Sequence, residues 1–438
     1  MNLRSHRWLA CFALVTAAFG EFLAVAQVSK PAGSVLDGLV AEKRYPELER
    51  QVPLADLNPA EHAYFVGVLA DLTNHPSEAI AALKPILPKL LSSDPKRAAI
   101  ALRTLADAYF MTGQYGEASD AYSDVLRKFA HEFSRAERES ITDNRNLFEL
   151  LRGAAPQTIS GQRDFSVAIH DNVLGDVEVP VQIRNRTEWW ILDTGANTSA
   201  ITVSTAKRLG LTVSKRRASS QGSTGKEVSL QTAVIPMLNV GTAELSNVIA
   251  VVSDDKDFNV PLGKGKRFQI EGVLGYPVLA ALGSLQITGN QLEVHPESQD
   301  SKRCTRLYVD QLTPLMEGTV DDHELLFQLD TGADAVAFTR KYLRQFPDQF
   351  SSLKAHKYGT GGIGGIRFMQ AYYLPQVDLH LSSATATLNN VPVMTEDMGV
   401  DPLDSIYGNL GQAFLRNFRS YTLDFKYMRI CVGANRSE

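Results

Sequence analysis

The chain has 438 residues, 44% of them apolar and 21% charged, with 49 acidic against 44 basic side chains and a formal net charge of −5. That length allows two to four domains, and that balance excludes a largely disordered chain and offers no basic surface for nucleic acid. No apolar stretch reaches the roughly 18 residues that span a bilayer, and three cysteines cannot build a disulfide framework or a four-thiolate zinc site.

Residues 1–26 read as a secretory signal peptide. Arg4, His6 and Arg7 make a basic start, Trp8 to Phe19 is mostly apolar, and Ala24-Val25-Ala26 gives the small-x-small pattern before Gln27. The mature chain is then expected to be exported, periplasmic or extracellular, and to keep only Cys304 and Cys431. Residues 27–155 are expected to form a helical domain, because apolar positions recur at three- and four-residue spacing from 34 to about 152. The clearest unit is Leu102, Leu105, Ala106, Tyr109, Gly113, Tyr115, Ala118, Tyr122 and Val125, with Gly113 at a turn. It resembles a tetratricopeptide repeat, and Gly67, Ala70, Ala79, Leu83 and Ile86 form a weaker earlier copy. Such a region is either a surface for a protein partner or a plain packed helical domain. Its periodicity is complete before Pro156, so it is expected to fold independently.

Ala154 to Gln162, with Pro156, Ser160 and Gly161, reads as a linker. Beyond it the sequence is β-rich: Val177 to Ile183 alternates, and Pro180 there suits an edge strand. An internal repeat then organises the rest. Ile191-Leu192-Asp193-Thr194-Gly195-Ala196-Asn197 returns as Gln328-Leu329-Asp330-Thr331-Gly332-Ala333-Asp334. Gly222 lies 29 residues after Asp193 and Gly359 lies 29 after Asp330; the segments Gly272 to Leu279 and Gly408 to Leu415 follow at 79 and 78 residues. Two units of about 137 residues are expected, at 163–300 and 301–438.

Each repeated aspartate follows an apolar strand and precedes a hydroxyl residue and a glycine. If the units face each other, Asp193 and Asp330 meet. Two carboxylates a few ångströms apart cannot both ionise easily and share a proton. One can then act as general base on a water while the other donates to a carbonyl oxygen, with no metal or cofactor required.

These paired motifs, with the glycine-rich segments behind them, resemble the aspartic proteases over about residues 165–432, in particular bacterial aspartyl proteases with tandem retropepsin-like lobes. The resemblance implies an all-α helical-repeat region followed by an all-β bilobal pepsin/retropepsin-like fold. It implies an aspartic endopeptidase, active as a monomer on a peptide or protein substrate, with Asp193 and Asp330 catalytic. Thr194, Gly195, Thr331 and Gly332 would shape the active-site loops, supported from behind by Gly272 to Gly275 and Gly408 to Gly411. Gly222, Ser223, Thr224 and Gly225 in one half, and Gly359, Thr360 and Gly361 in the other, would form flaps; Asn197 and Asp334 would contact substrate backbone. The first flap lacks the tyrosine of pepsins, Tyr276 and Gln412 stand where retroviral enzymes have arginine, and Asn197 replaces the acidic residue kept at Asp334. In the family fold Cys304 and Cys431 lie in neighbouring strands, so they form either one disulfide or two buried thiols.

Other motifs are weaker. Gly359 to Gly364 fits G-x-G-x-x-G, but no apolar strand precedes it and Ile366 to Gln370 alternates like a strand, so nucleotide binding is not expected. The histidines show no metal-ligand spacing, and Lys215-Arg216-Arg217 reads as a solvated face. The alternative function is a non-catalytic peptide-binding or scaffold protein that uses the helical repeats and carries inactive protease-like lobes.

Pepsins carry a hydroxyl residue directly after Asp-Thr-Gly, where this chain has Ala196 and Ala333, as retroviral enzymes do. A carboxylate without that donor ionises less readily. The rate profile is expected to be a bell centred near about pH 4–6. Ala196→Ser or Ala333→Ser should move its acidic limb downward; an unmoved limb in both variants would show that another group sets the ionisation.

Overall fold

The computed structural model of the protein describes residues 31–222, 227–296, 304–362, 364–399, 401 and 403–436. The expected signal peptide lies outside them. Residues 32–150 are helical: α1 (Ala32–Ala41), α2 (Tyr45–Gln51), α3 (Pro59–Leu72), α4 (Pro76–Ser93), α5 (Pro95–Met111), α6 (Tyr115–Lys128) and α7 (Arg135–Leu150). Local chemistry sets their ends. Asn58 with Glu61 and Ser134 with Glu137 form capping boxes for α3 and α7, and prolines open α2 to α5, where a missing N–H is harmless. Gly113 turns the chain between α5 and α6 at φ 75°, and a Cβ there would lie 2.4 Å from Pro156. The periodic residues Leu102, Leu105, Ala106, Tyr109, Tyr115, Ala118, Tyr122 and Val125 are all buried.

A β-rich region follows, with large sheets of nine and thirteen strands among the described residues. In the first sheet Arg186–Leu192 runs between Val177–Ile183 and the parallel strand Gly272–Leu274, pairing Leu192 with Leu274. In the second, His323–Leu329 runs between Thr313–Val320 and the parallel strand Gly408–Leu410, pairing Leu329 with Leu410. The two Asp-Thr-Gly turns thus leave equivalent central strands. Several boundaries differ from the sequence reading. The linker contains a strand, Thr158–Gly161, paired with Ala243–Ser253. Val177–Ile183 is not an edge: Pro180 falls in the gap between partners at His170–Asp171 and at Asn239–Val240, so its missing N–H costs no ladder bond. Nor do the sheets divide at residue 300. Phe165–Ala168, Ser284–Thr288 and Gln291–His295 belong to the thirteen-stranded sheet, where Ser284–Thr288 pairs with Ser420–Asp424.

The helical region is docked on the β-rich region. One continuous apolar core runs through the helices and both sheets. At its edge Asp310 takes an ion pair from Lys43, a hydrogen bond from the Tyr45 hydroxyl at 2.8 Å, and Arg103 at 3.7 Å. Nearby, Glu49 accepts from Arg306 and Tyr308, each at 2.7 Å. Asn74 donates to the Phe425 carbonyl at 2.9 Å. Apolar spacing alone could not reveal these polar contacts, because their partners lie hundreds of residues away along the chain.

Burial raises the Asp310 pKa, but Lys43 and Arg103 outweigh it and hold it at about 2. An unfolded aspartate ionises near about 3.9, so this stabilisation is complete above about pH 4 and is lost as pH falls through about 2. Asp310→Ala should lower stability by about 3–5 kcal/mol, since it leaves buried cations unpaired. Urea unfolding at neutral pH checks the size, and loss of the step between pH 4 and 2 in the variant checks the cause.

Candidate active site

The strand Arg186–Leu192 ends in buried Trp190, Ile191 and Leu192, which anchor the turn that carries Asp193. The backbone N–H of Asp193 donates to the Leu274 carbonyl at 3.1 Å, and that of Asp330 to the Leu410 carbonyl at 3.0 Å. Both aspartates are therefore pinned to the parallel strands beside them. Fully buried Thr194 and Thr331 then lock the turns together. Thr194 Oγ1 donates to the Leu329 carbonyl and Thr331 Oγ1 to the Leu192 carbonyl, each at 2.6 Å; each hydroxyl oxygen also accepts the other threonine's N–H at 3.0 Å.

This lock brings the two carboxyl groups face to face. Asp193 Oδ1 accepts from the Gly195 N–H at 2.8 Å and Asp330 Oδ1 from the Gly332 N–H at 3.1 Å. A Cβ on Gly195 would stand 2.7 Å from the Asp330 carboxyl carbon, and one on Gly332 would stand 2.2 Å from that of Asp193. No side chain fits at either place. The later glycine segments back the turns: Gly411 packs on the Ala333 and Ala335 carbonyls, Gly275 packs on Thr198, and Gln412 Nε2 donates to the Thr331 carbonyl at 2.7 Å.

Burial, and then the neighbouring Asp330, push Asp193 well above the usual carboxylate range. Burial also raises Asp330, but donors oppose it, Asn409 first: its Nδ2 donates to Asp330 Oδ2 at 2.8 Å. A third carboxyl, Asp176, lies 5% exposed in the turn before Val177 and is pushed up to about 6 by burial, with Asp334 and Asp330 adding to the effect. Among the described residues the site is thus a pair of half-buried carboxyls with a buried third, Asp176, beside it. Such a pair can hold one proton and one charge at once, which equips it to take a proton from water while giving one to an oxygen.

The other expected site residues are dispersed. Gly222 follows the strand Ala218–Gln221, which pairs with Glu227–Val240; Ser223, Thr224 and Gly225 lie outside the described residues. Gly359, Thr360 and Gly361 lie in His356–Gly362, antiparallel to Gly365–His380, and the Gly364 N–H beyond them reaches the Asp257 carbonyl at 3.2 Å. Asn197 is met by Thr313 at 3.4 Å, while Asp334 takes Arg416 at 2.9 Å. Those two residues hold separate hydrogen-bond contacts. Arg216 of the basic run reaches Glu149 of α7 at 3.4 Å. Cys304 and Cys431 form a disulfide between directly opposed residues of two antiparallel strands.

Residues 179–278 match the family model described as aspartyl protease. The aspartyl protease match includes Asp193, Gly222 and Gly275 but covers less than a quarter of the chain; Asp330 enters through the internal repeat. No match to the chain is found among curated proteins. The match supports a protease, a hydrolase, for the half that carries Asp193. Motif reading missed Asn409 and Asp176. Comparison of the two copies could have found the first, since Asn409 is polar where Val273 is apolar; Asp176 lies outside any motif.

Thr194→Val and Thr331→Val keep the side-chain volume but orphan a buried N–H and a buried carbonyl. Each should cost about 1–3 kcal/mol per orphaned group, read by urea unfolding. Gly332→Ala should abolish activity outright, because the Asp193 carboxyl must move.

Proposed function

We propose that the protein is an exported aspartic endopeptidase whose two lobes, related by the Asp-Thr-Gly repeat, hydrolyse peptide bonds at the Asp193/Asp330 pair. The observation that carries this reading is the facing of two half-buried carboxyl groups across the reciprocal, fully buried threonine lock. With the pair singly protonated, the charged carboxylate takes a proton from a water whose oxygen attacks the peptide carbonyl carbon. The protonated carboxyl donates to the carbonyl oxygen, giving a tetrahedral diol. Transfer of a proton to the amide nitrogen then breaks the C–N bond, and the pair returns to its starting charge. Both halves of the pair lie on one chain, which supports activity as a monomer.

The hairpins Ala218–Gln221/Glu227–Val240 and His356–Gly362/Gly365–His380 would serve as flaps over the substrate. The Cys304–Cys431 disulfide supports export, since such bonds persist in oxidising compartments. The tetratricopeptide-like helices would act as a protein-binding adaptor docked on the catalytic region.

Purified mature protein should cut members of a mixed peptide library at acid to neutral pH and be inhibited by a pepstatin-type compound. Asp193→Asn and Asp330→Asn should each abolish cleavage. Folded wild-type protein that cuts nothing between pH 3 and 8 would overturn the protease reading in favour of a scaffold.

A further inference from the structure

The two halves match at the aspartates but not at the strands beside them. Val273 and Asn409 occupy the same place, the middle of a three-residue strand running parallel to the one that ends in the aspartate. Val273 presents no donor. Asn409 Nδ2 donates to Asp330 Oδ2 at 2.8 Å, while Asn409 Oδ1 is buried without a partner among the described residues. Turning the amide over would set Oδ1 against Oδ2, two acceptors in contact unless Asp330 held the proton. The amide's orientation and the proton's position are thus one choice.

The backbone donors to the two carboxyls match, so among the described residues Asn409 is what distinguishes Asp330 from Asp193. Asp330 Oδ1 receives the Gly332 N–H as Asp193 Oδ1 receives that of Gly195, while the Ala333 N–H goes to the Asp330 backbone carbonyl; the Asn409 amide is the added donor on Asp330. Asp176 faces both carboxyls from the turn before Val177, and Asp334, paired with Arg416, lies beyond it. Hydrogen bonds given to a carboxylate stabilise its charged form.

We propose that Asn409 is a positioning residue that breaks the two-fold symmetry of the pair, holding the negative charge on Asp330 and the shared proton on Asp193. This deepens the protease reading and rests on it for its consequence: Asp330 is the base toward water and Asp193 the acid toward the substrate carbonyl. A lost bond to the charged form makes Asp330 harder to ionise, so Asn409 also extends activity to lower pH.

The test uses the full mature chain. In Asn409→Val, which copies the other half, the acidic limb of kcat/KM should rise by about one pH unit, a roughly tenfold loss at a fixed pH on that limb. The alkaline limb should move less. A fall in kcat with both limbs unmoved would make Asn409 merely structural and overturn the proposal. A second measurement needs neither activity nor that variant. Aspartate ¹³Cγ shifts of the wild type, assigned with Asp193→Asn and Asp330→Asn, should show Asp330 ionising first as pH rises. Asp193 ionising first, or both moving equally, would overturn the proposal. If the wild type cuts no peptide, the protease reading fails, while the same shifts read in Asn409→Val, where the lead of Asp330 should shrink, still decide the role of Asn409.

Discussion

The reciprocal bonding of Thr194 and Thr331 is the constraint on which the site depends. Each hydroxyl has one proton and gives it to a carbonyl of the opposite half, leaving its oxygen free to accept the opposite N–H. Every strong hydrogen-bonding group at the junction is satisfied only when both turns are present and in register. Because both threonines are fully buried, a single unmet group there is expensive, and the arrangement is close to all-or-none. The lock holds two half-buried carboxyls together against their repulsion by fixing the backbones that carry them.

Much of this was legible in the sequence, for a definite reason. The turn needs a carboxylate, a hydroxyl and a residue without a side chain in consecutive places, and needs them twice. Such a requirement leaves little freedom of spelling, so Asp193-Thr194-Gly195 and Asp330-Thr331-Gly332 stand out. The helical character of residues 32–150 followed from the spacing of apolar residues that are now buried. Pairing between distant segments was far less legible. Lys43 lies between Glu42 and Arg44, and nothing in that local sequence marks it as buried against Asp310. Pro180 suggested an edge because a local rule cannot see that two different partners stop on either side of it. Asn409 sits inside a glycine segment whose pattern survives almost any residue at that place; its chemistry appears only once its neighbour is known to be Asp330.

The docking of the helices has a similar character. Asp310 ends the strand that carries Cys304, and Asp401 lies near the same cations, so Lys43 and Arg103 neutralise charges of the β-rich region, Arg103 pairing with Glu137 of α7 as well. Buried pairs of this kind add little net stability compared with apolar contacts, but they tolerate few alternative partners. They fix where the helices sit more than how tightly they hold. α7 lies against the Ala218–Gln221 strand as well, and Arg216 bonds Glu149 there.

The sheet shared by the two halves bears on how the chain is made. Leu285 and Ile287 point into the core from Ser284–Thr288, but the partner Ser420–Asp424 lies about 136 residues downstream. A ribosome adding roughly 5–20 residues per second needs on the order of ten seconds to cover that distance. Throughout that interval one edge of the strand presents bare N–H and carbonyl groups beside apolar side chains, a template for any other extended segment nearby. A chain halted before residue 420 never covers that edge. The aspartate of the first half is thus made early, while the sheet that shelters its half is completed only near the end of synthesis.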